Sequence, residues 1–472
     1  MNTIIEKILT KKVDLKNREL YDLSLCEMIA CLSQNLFSSE ELLRSCLNRI
    51  ESINPKLNAL IQIRKEDAIS KAKEADELLI SGKGKLLTGI PFSIKDLFQT
   101  KGIITSAGSK ALKDFVPDKD ATIVERLKNH GAILIAKSNT PELSLSDECD
   151  NPLYGTTNNP HDLSRTPGGS SGGAAAAIAA QLVPFDIGSD VGGSVRQPAH
   201  FCGICALKPS KGRIPTTGHI PPYGGTFTEF NHIGPMARTI EDIEILLHLL
   251  QGPDNLDGLC SEVPLPDSET INIKELKVGY YINDGVAQVP EDISNLIQEI
   301  ILKFKADGVH VQMIKPDEVE FGGEILVEHF TNDGSLQLSE FMLDFELKDI
   351  GEELKGWMEA TNNASLEGMR QANKRKASLI NKAAAVWSQV DIILAPVAPV
   401  IAFKHGQSVG AMDSSMMQAY NILGWPVATL PIGKNKEQMP VGIQVIGRLW
   451  NDHEVLALAK HIEKLTGGYI KP

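Results

Sequence analysis

The 472-residue chain lacks an excess of positive charge: 60 acidic residues stand against 47 Lys and Arg, a formal net charge of -13. A surface of that sign is not built to neutralise a nucleic-acid backbone, so no nucleic-acid partner is expected. It also lacks any run of the roughly 18–20 apolar residues that a bilayer-spanning helix needs. The opening stretch MNTIIEKILTKKVDLKNREL carries charges every few positions, unlike a signal peptide. The expectation is a cytoplasmic protein with no transmembrane segment. Paired cysteines are missing too. The seven present (26, 31, 46, 149, 202, 205 and 260) are odd in number and scattered, which fits reduced thiols better than a disulfide framework. Cys202 and Cys205 form a CxxC with no second half for zinc, and read as two small buried residues. There is no internal repeat and no low-complexity tract.

What is present reads as alternating helices and strands. In SSEELLRSCLNRIESI, Ser38 followed by Glu41 is a capping-box spacing, with apolar residues at 42, 43, 46, 47 and 50 and a stop at Asn54-Pro55. KEDAISKAKEADELLISGKG repeats the theme, with Ala68, Ala72, Ala75 and Leu79 on one face. In GIPFSIKDLF, Ile90, Phe92 and Ile94 alternate with Pro91, Ser93 and Lys95 as in a strand, which places Lys95 on the face of Ser93 and opposite Asp96. HGAILIAKSN and LVPFDIG read as buried strands, and GGAAAAIAAQ between them as a helix with no polar face. The Pro/Asp/Gly-rich stretch 250–275 reads as a surface excursion. Strand character resumes in ELKVGYYIND and HVQMIKP, around a helix at 290–306. VDIILAPVAPVIAF, GWPVATLPIG and MPVGIQVIGRLW are late apolar strands. The order implies an α/β layered fold.

Two glycine-serine clusters carry the chemistry. TPGGSSGGAAAAIAAQ begins at Thr166, and GSDVGGSVRQP places Ser194 behind a second glycine pair. The first cluster has no Lys-Ser/Thr after its glycines, so it is not a phosphate loop, and it does not fit G-x-G-x-x-G. It does match G-x-S-x-G around Ser171, which opens a Ser-His-Asp esterase reading with Ser171 as nucleophile. That elbow is a strand-to-helix turn, however, and HDLSRTP before it reads as loop.

GIPFSIKDLFQTKG, GAILIAKSNTPE, the block from NPLYGTTNNPHDLSRTPGGSS to DVGGSVRQPAHFCGICALKPSKGRIP, and GPMARTIEDIEILLHLLQGPD together resemble the amidase signature family. The likeness covers most of the chain and is weakest over about 255–385. It implies one amidase domain with a large mixed, twisted sheet wrapped by helices. Residues 1–82 would form an N-terminal helical layer and 83–250 the signature core. Residues 251–390 would be a peripheral, substrate-pocket region, and 391–472 would complete the core.

Carried over residue by residue, the resemblance makes Lys95 the base, Ser170 a bridging serine after a cis Gly169–Ser170 peptide, and Ser194 the nucleophile. Ser171 then becomes a supporting residue beside Ser189. The physical chemistry agrees, because lysine is a base only when neutral, which burial without a carboxylate partner favours. DVGGS can aim the N–H groups of Val191, Gly192, Gly193 and Ser194 at an oxyanion, and Asp190 with Arg196 would brace that loop. Ser144, Leu145 and Asp147, upstream of the bridging serine, are expected at the substrate and favour smaller or more polar amides. TGHIPPYGG, from Thr217, and 320–350 would complete the pocket. Trp425 and Trp450 read as core, the histidines as ordinary polar residues, and Lys208 and Arg213 as fold support.

The implied activity is cleavage of a small linear amide through an acyl-enzyme, with neither metal nor cofactor, and with self-association left open. The family also contains the glutaminase subunit of the tRNA-dependent amidotransferase, which works with a partner. Here PTTGHIPPYGGTFTEFNHIGPMART is more similar to stand-alone amidases, and the subunit's YDGVRYG-like segment is missing. A non-catalytic binding module is the remaining alternative.

Overall fold

The strand pattern is realised as two sheets, described by a computed structural model over residues 2–221, 225–315, 319–408 and 415–472. A small sheet holds β1 (Leu60–Ile61), β2 (Pro91–Lys95) and β3 (Ile133–Ser138) in the order β1-β3-β2, with β2 and β3 parallel. The large one has eight strands: β4 (Phe185–Asp190), β5 (Cys205–Lys208), β6 (His232–Ala237), β7 (Lys277–Tyr280), β8 (His310–Met313), β9 (Ile392–Pro396), β10 (Val427–Lys434) and β11 (Pro440–Gly447). Their order is β4-β6-β5-β10-β11-β9-β7-β8. Pairs from β4 to β9 are antiparallel, while β7 is parallel to β8 and β9, so the sheet is mixed, as expected.

Period-two alternation explains why both faces of the large sheet are covered. In β9, Ile392 and Leu394 enter one apolar cluster, with Ile240–Leu250, Glu291–Ala306 and Asp452–Thr466. Ile393 and Ala395 enter another, with Ser415–Leu423 and residues of Gly322–Asp333 and Leu366–Ala383. The alanine-rich helix is Gly172–Ala179, and every residue in it is buried. A third cluster surrounds it, joining Leu43, Leu47 and Ile50 to Ala68, Ala72 and Ala75 of the N-terminal helices.

Ser38 does cap Ser39–Leu57 through a full capping box. That helix does not stop at Asn54-Pro55 but runs to Leu57. A proline costs only one bond in the last turn, and Asn58 closes it in the left-handed conformation. Trp425 is core, whereas Trp450 is not. It sits partly exposed at φ 73°, with the Arg213 guanidinium 5.1 Å over its ring. Lys208 donates to the Trp425 carbonyl at 2.6 Å and Arg213 pairs with Asp452 at 2.8 Å, both as fold supports. All seven cysteines are free and buried. Among the described residues, no helix is long and apolar enough to cross a membrane.

Candidate active site

The site forms where the end of β2 meets the loop before Gly172–Ala179 and the turn after β4. Because Ile90, Phe92 and Ile94 are spent on the core, Ser93 and Lys95 point the other way. Ser93 donates to Asp186, and Lys95 Nζ donates to Ser170 Oγ at 2.6 Å and to Ser189 Oγ at 3.3 Å. Asp96, on the opposite side, accepts from Ser106 and lies 3.5 Å from Lys137 Nζ. Exposure rises in order along the three residues: Lys95 is 0% exposed, Ser170 1%, and Ser194 is half-buried, facing a cavity.

Burial lowers the Lys95 pKa from 10.5 to about 7, against weaker upward pulls from Cys149, Asp190 and Asp186. Two of those pulls are muted near neutrality. Burial raises the Cys149 thiol to about 11 and the Asp186 carboxyl to about 7. Lys95 therefore exchanges its proton near neutral pH.

The Gly169–Ser170 peptide is cis. The surrounding glycines mark close approach more than backbone freedom. A Cβ on Gly169 would lie 2.4 Å from the Ser146 carbonyl oxygen, and one on Gly173 would lie 2.4 Å from the Asn139 backbone. Ser171 is fully buried; its amide donates to the Ser194 carbonyl and its hydroxyl to the Ser189 carbonyl at 3.4 Å, and among the described residues it has no imidazole partner. That geometry removes the elbow reading.

Asp190 and Arg196 form the expected buried pair at 2.9 Å, both fully enclosed. Burial alone would raise the Asp190 pKa, but the charge and hydrogen bonds of Arg196, with Asn421, bring it well below the carboxylate range. The Asp190 carboxylate also accepts from the amides of Gly193 at 2.8 Å and Val195 at 3.1 Å. This corrects the four-donor expectation. A buried carboxylate demands donors, and the Gly193 N–H is one of them, so it is not directed at a substrate. The N–H groups of Val191, Gly192 and Ser194 make no hydrogen bond among the described residues. The Ser194 hydroxyl also makes none, so the expected Ser194-to-Ser170 bond is not formed in this state; catalytic bonds commonly tighten only around substrate.

The cavity holds about 330 Å³ and is lined by Ser170, Ser189, Val191, Gly192 and Ser194 together with Ser144, Leu145 and Asp147. Leu143 and Ser144 occupy consecutive left-handed conformations at φ 49° and 64°, uncommon for non-glycine residues and a frequent mark of functional loops. Within TGHIPPYGG, His219 and Pro221 line the cavity, whereas Pro222, Tyr223 and Gly224 lie outside the described residues. From 320–350, Leu326, Val327 and Phe330 contribute.

Phe227 and Trp357 line the cavity from outside the segments expected to complete it, while His219 lies within one of those segments. The three rings Phe227, Phe330 and Trp357 sit 4.7–5.7 Å apart and give the wall a strongly apolar side. They come from separate helices, Gly225–Phe230, Gly322–Asp333 and Glu352–Thr361, so no linear pattern joins them. His219 is no ordinary surface histidine: burial first, then the Lys95 charge, lowers its pKa to about 3, and its ring packs edge-on against Phe98.

With this geometry in place, similarity to known proteins becomes informative. The amidase family model matches residues 41–456. The chain is 32% identical, over 485 aligned residues, to a glutamyl-tRNA(Gln) amidotransferase subunit of Caldanaerobacter subterraneus subsp. tengcongensis, covering 96% of this chain and 98% of that one. A bacterial aryl acylamidase of the amidase signature family is similar in structure, with TM-score 0.85 at 25% identity, over 94% of this chain and 96% of that one. The corresponding glutamyl-tRNA(Gln) amidotransferase subunit of Thermotoga maritima gives TM-score 0.80 at 26% identity, over 98% and 99%. The chain therefore belongs to the amidase signature family and is a hydrolase of carbon–nitrogen bonds in amides.

Proposed function

We propose that the protein is a stand-alone amidohydrolase of small linear amides in which Lys95, Ser170 and Ser194 act in series. Neutral Lys95 takes the proton of Ser170 as Ser170 takes that of Ser194. Ser194 Oγ then attacks the acyl carbon. The N–H groups of Val191, Gly192 and Ser194 receive the developing oxyanion, and Asp190 with Arg196 holds their turn in place through Gly193 and Val195. The proton on Lys95 returns through Ser170 to the departing amine. Water then releases the acid from the acyl-enzyme.

The lining of the cavity supports this reading over that of a glutaminase subunit. Asp147 is the sole charged side chain among its described lining residues, and Leu143, Leu145, Phe227, Leu326, Phe330 and Trp357 supply an apolar side. A free α-amino acid would bring a carboxylate that no cation there could meet. An uncharged amide with a compact apolar group fits better. This shifts the substrate expectation from polar toward apolar, within a volume too small for a long extended chain. A second reading, as an amidotransferase subunit, is favoured by the 32% identity to that subunit over nearly its full length.

The test is hydrolysis by the purified chain alone. Ring-bearing or branched amides should be cleaved and L-glutamine left intact, whereas glutamine cleavage that needs a co-purifying partner would favour the second reading. Ser194→Ala should lower turnover by about 10⁴-fold or more. Ser171→Ala should retain most activity.

A further inference from the structure

Behind the catalytic cavity lies a chamber of about 20 Å³, and Thr216, Thr228 and Asn231 line both spaces. One water needs about 10–15 Å³ and two to four polar partners. The chamber reaches toward the surface at Leu259, which lines it and is 59% exposed.

Its polar lining is incompletely satisfied. His232 Nδ1 lies 2.8 Å from the Phe230 carbonyl oxygen, which can only accept, so Nδ1 carries the proton. Burial, and then the charge of Lys208, lowers the His232 pKa well below its ordinary value. The ring is therefore neutral and Nε2 offers a lone pair. That nitrogen is buried and receives no hydrogen bond from any described residue; the same holds for Asn231 Oδ1. The two orphan acceptors belong to residues that line one water-sized space, and a species that satisfies both must donate twice. Across the β4–β6 pair, His232 stands opposite Asp190, the residue that leads into the turn bearing Ser194.

From this geometry we infer that the chamber binds a water donating to His232 Nε2 and Asn231 Oδ1, and that it delivers the water that hydrolyses the acyl-enzyme. The inference rests on the Ser194 acyl-enzyme proposed above. Water enters from the Leu259 side and reaches the acyl carbon past the Thr216, Thr228 and Asn231 neck. Its oxygen bonds to the acyl carbon, and its proton passes through Ser170 to Lys95. The bond from the acyl carbon to Ser194 Oγ breaks, and the proton on Lys95 returns to Ser194. The acid leaves with no other reactant consumed.

The test uses the full chain, a nitrophenyl ester of a short carboxylic acid, and hydroxylamine as a competing nucleophile entering through the main cavity. Two variants avoid the residues assigned to catalysis: His232→Phe removes the acceptor, and Leu259→Trp narrows the outer mouth. The nitrophenolate burst, which reports acylation, should stay within about twofold of the parent. Steady-state turnover should fall by about tenfold or more, with the hydroxamate-to-acid ratio rising by the same factor. An unchanged ratio in both variants overturns the inference. If His232→Phe shows no burst, Leu259→Trp on its exposed loop decides alone. A parent chain without a Ser194-dependent burst overturns the acyl-enzyme reading itself, and this inference with it.

Discussion

Lys95 is useful as a base because the surrounding chain denies it a strong counter-ion. Its Nζ is held by two hydroxyls, and of the two carboxyls that act on it through space, Asp190 is paired with Arg196 and Asp186 is itself raised to about 7. The expected pH profile follows: kcat/KM should climb about tenfold per pH unit below pH 7 and level off above it, measured with an amide whose own ionisation lies elsewhere. The same shift acts on stability. Between about pH 7 and 10.5 the unfolded chain binds a proton at Lys95 that the folded chain does not, so stability rises with pH across that window. Below pH 7 the full cost of the buried cation is present. Lys95→Met should therefore be inactive yet more stable near pH 6, by on the order of a few kcal/mol, with the gain shrinking toward pH 10 in denaturant titrations. Arg196 presents the opposite case. Arg196→Met strands the Asp190 carboxylate and should cost about 3–5 kcal/mol, together with most of the activity through loss of the turn.

Among the elements, those with a strong local period were legible in sequence. The capping box at Ser38, the all-buried helix Gly172–Ala179 and the alternation that turns Lys95 away from Phe92 each follow from spacing alone. Ser38→Ala should cost about 1 kcal/mol in thermal unfolding. The end of Ser39–Leu57 was less legible, because the contribution of a proline depends on which turn it occupies. Two features of the site were out of reach for a physical reason. The diversion of the Gly193 amide to Asp190 depends on the aim of one N–H group. The aromatic wall depends on three helices meeting in space, since Phe227 and Trp357 lie 130 positions apart and only Phe330 and Trp357 fall where the family likeness is weakest. The loop that bears His219 was expected at the pocket from the sequence, but nothing in that loop distinguishes a cavity-lining ring from a solvated one.

At the scale of the whole molecule, the sequence segments do not partition the sheet. Residues 83–250 supply β4, β5 and β6, residues 251–390 supply β7 and β8, and residues 391–472 supply β9, β10 and β11. A single cooperative unit is the proposal that follows, and calorimetry should show one endotherm; a separate transition for the 251–390 region would refute it. That region also carries substrate selection, through Phe330 and Trp357. Trp357→Ala should lower kcat/KM for a ring-bearing amide by about tenfold or more while changing that for acetamide much less. The central claim, that buried neutral Lys95 activates Ser194 through Ser170, is tested most directly by site-mapped labelling with a fluorophosphonate across pH. The label should appear on Ser194, at a rate that rises through pH 7 and is lost in Lys95→Ala. A label on Ser171, or labelling of Ser194 that is indifferent to Lys95, would contradict that claim.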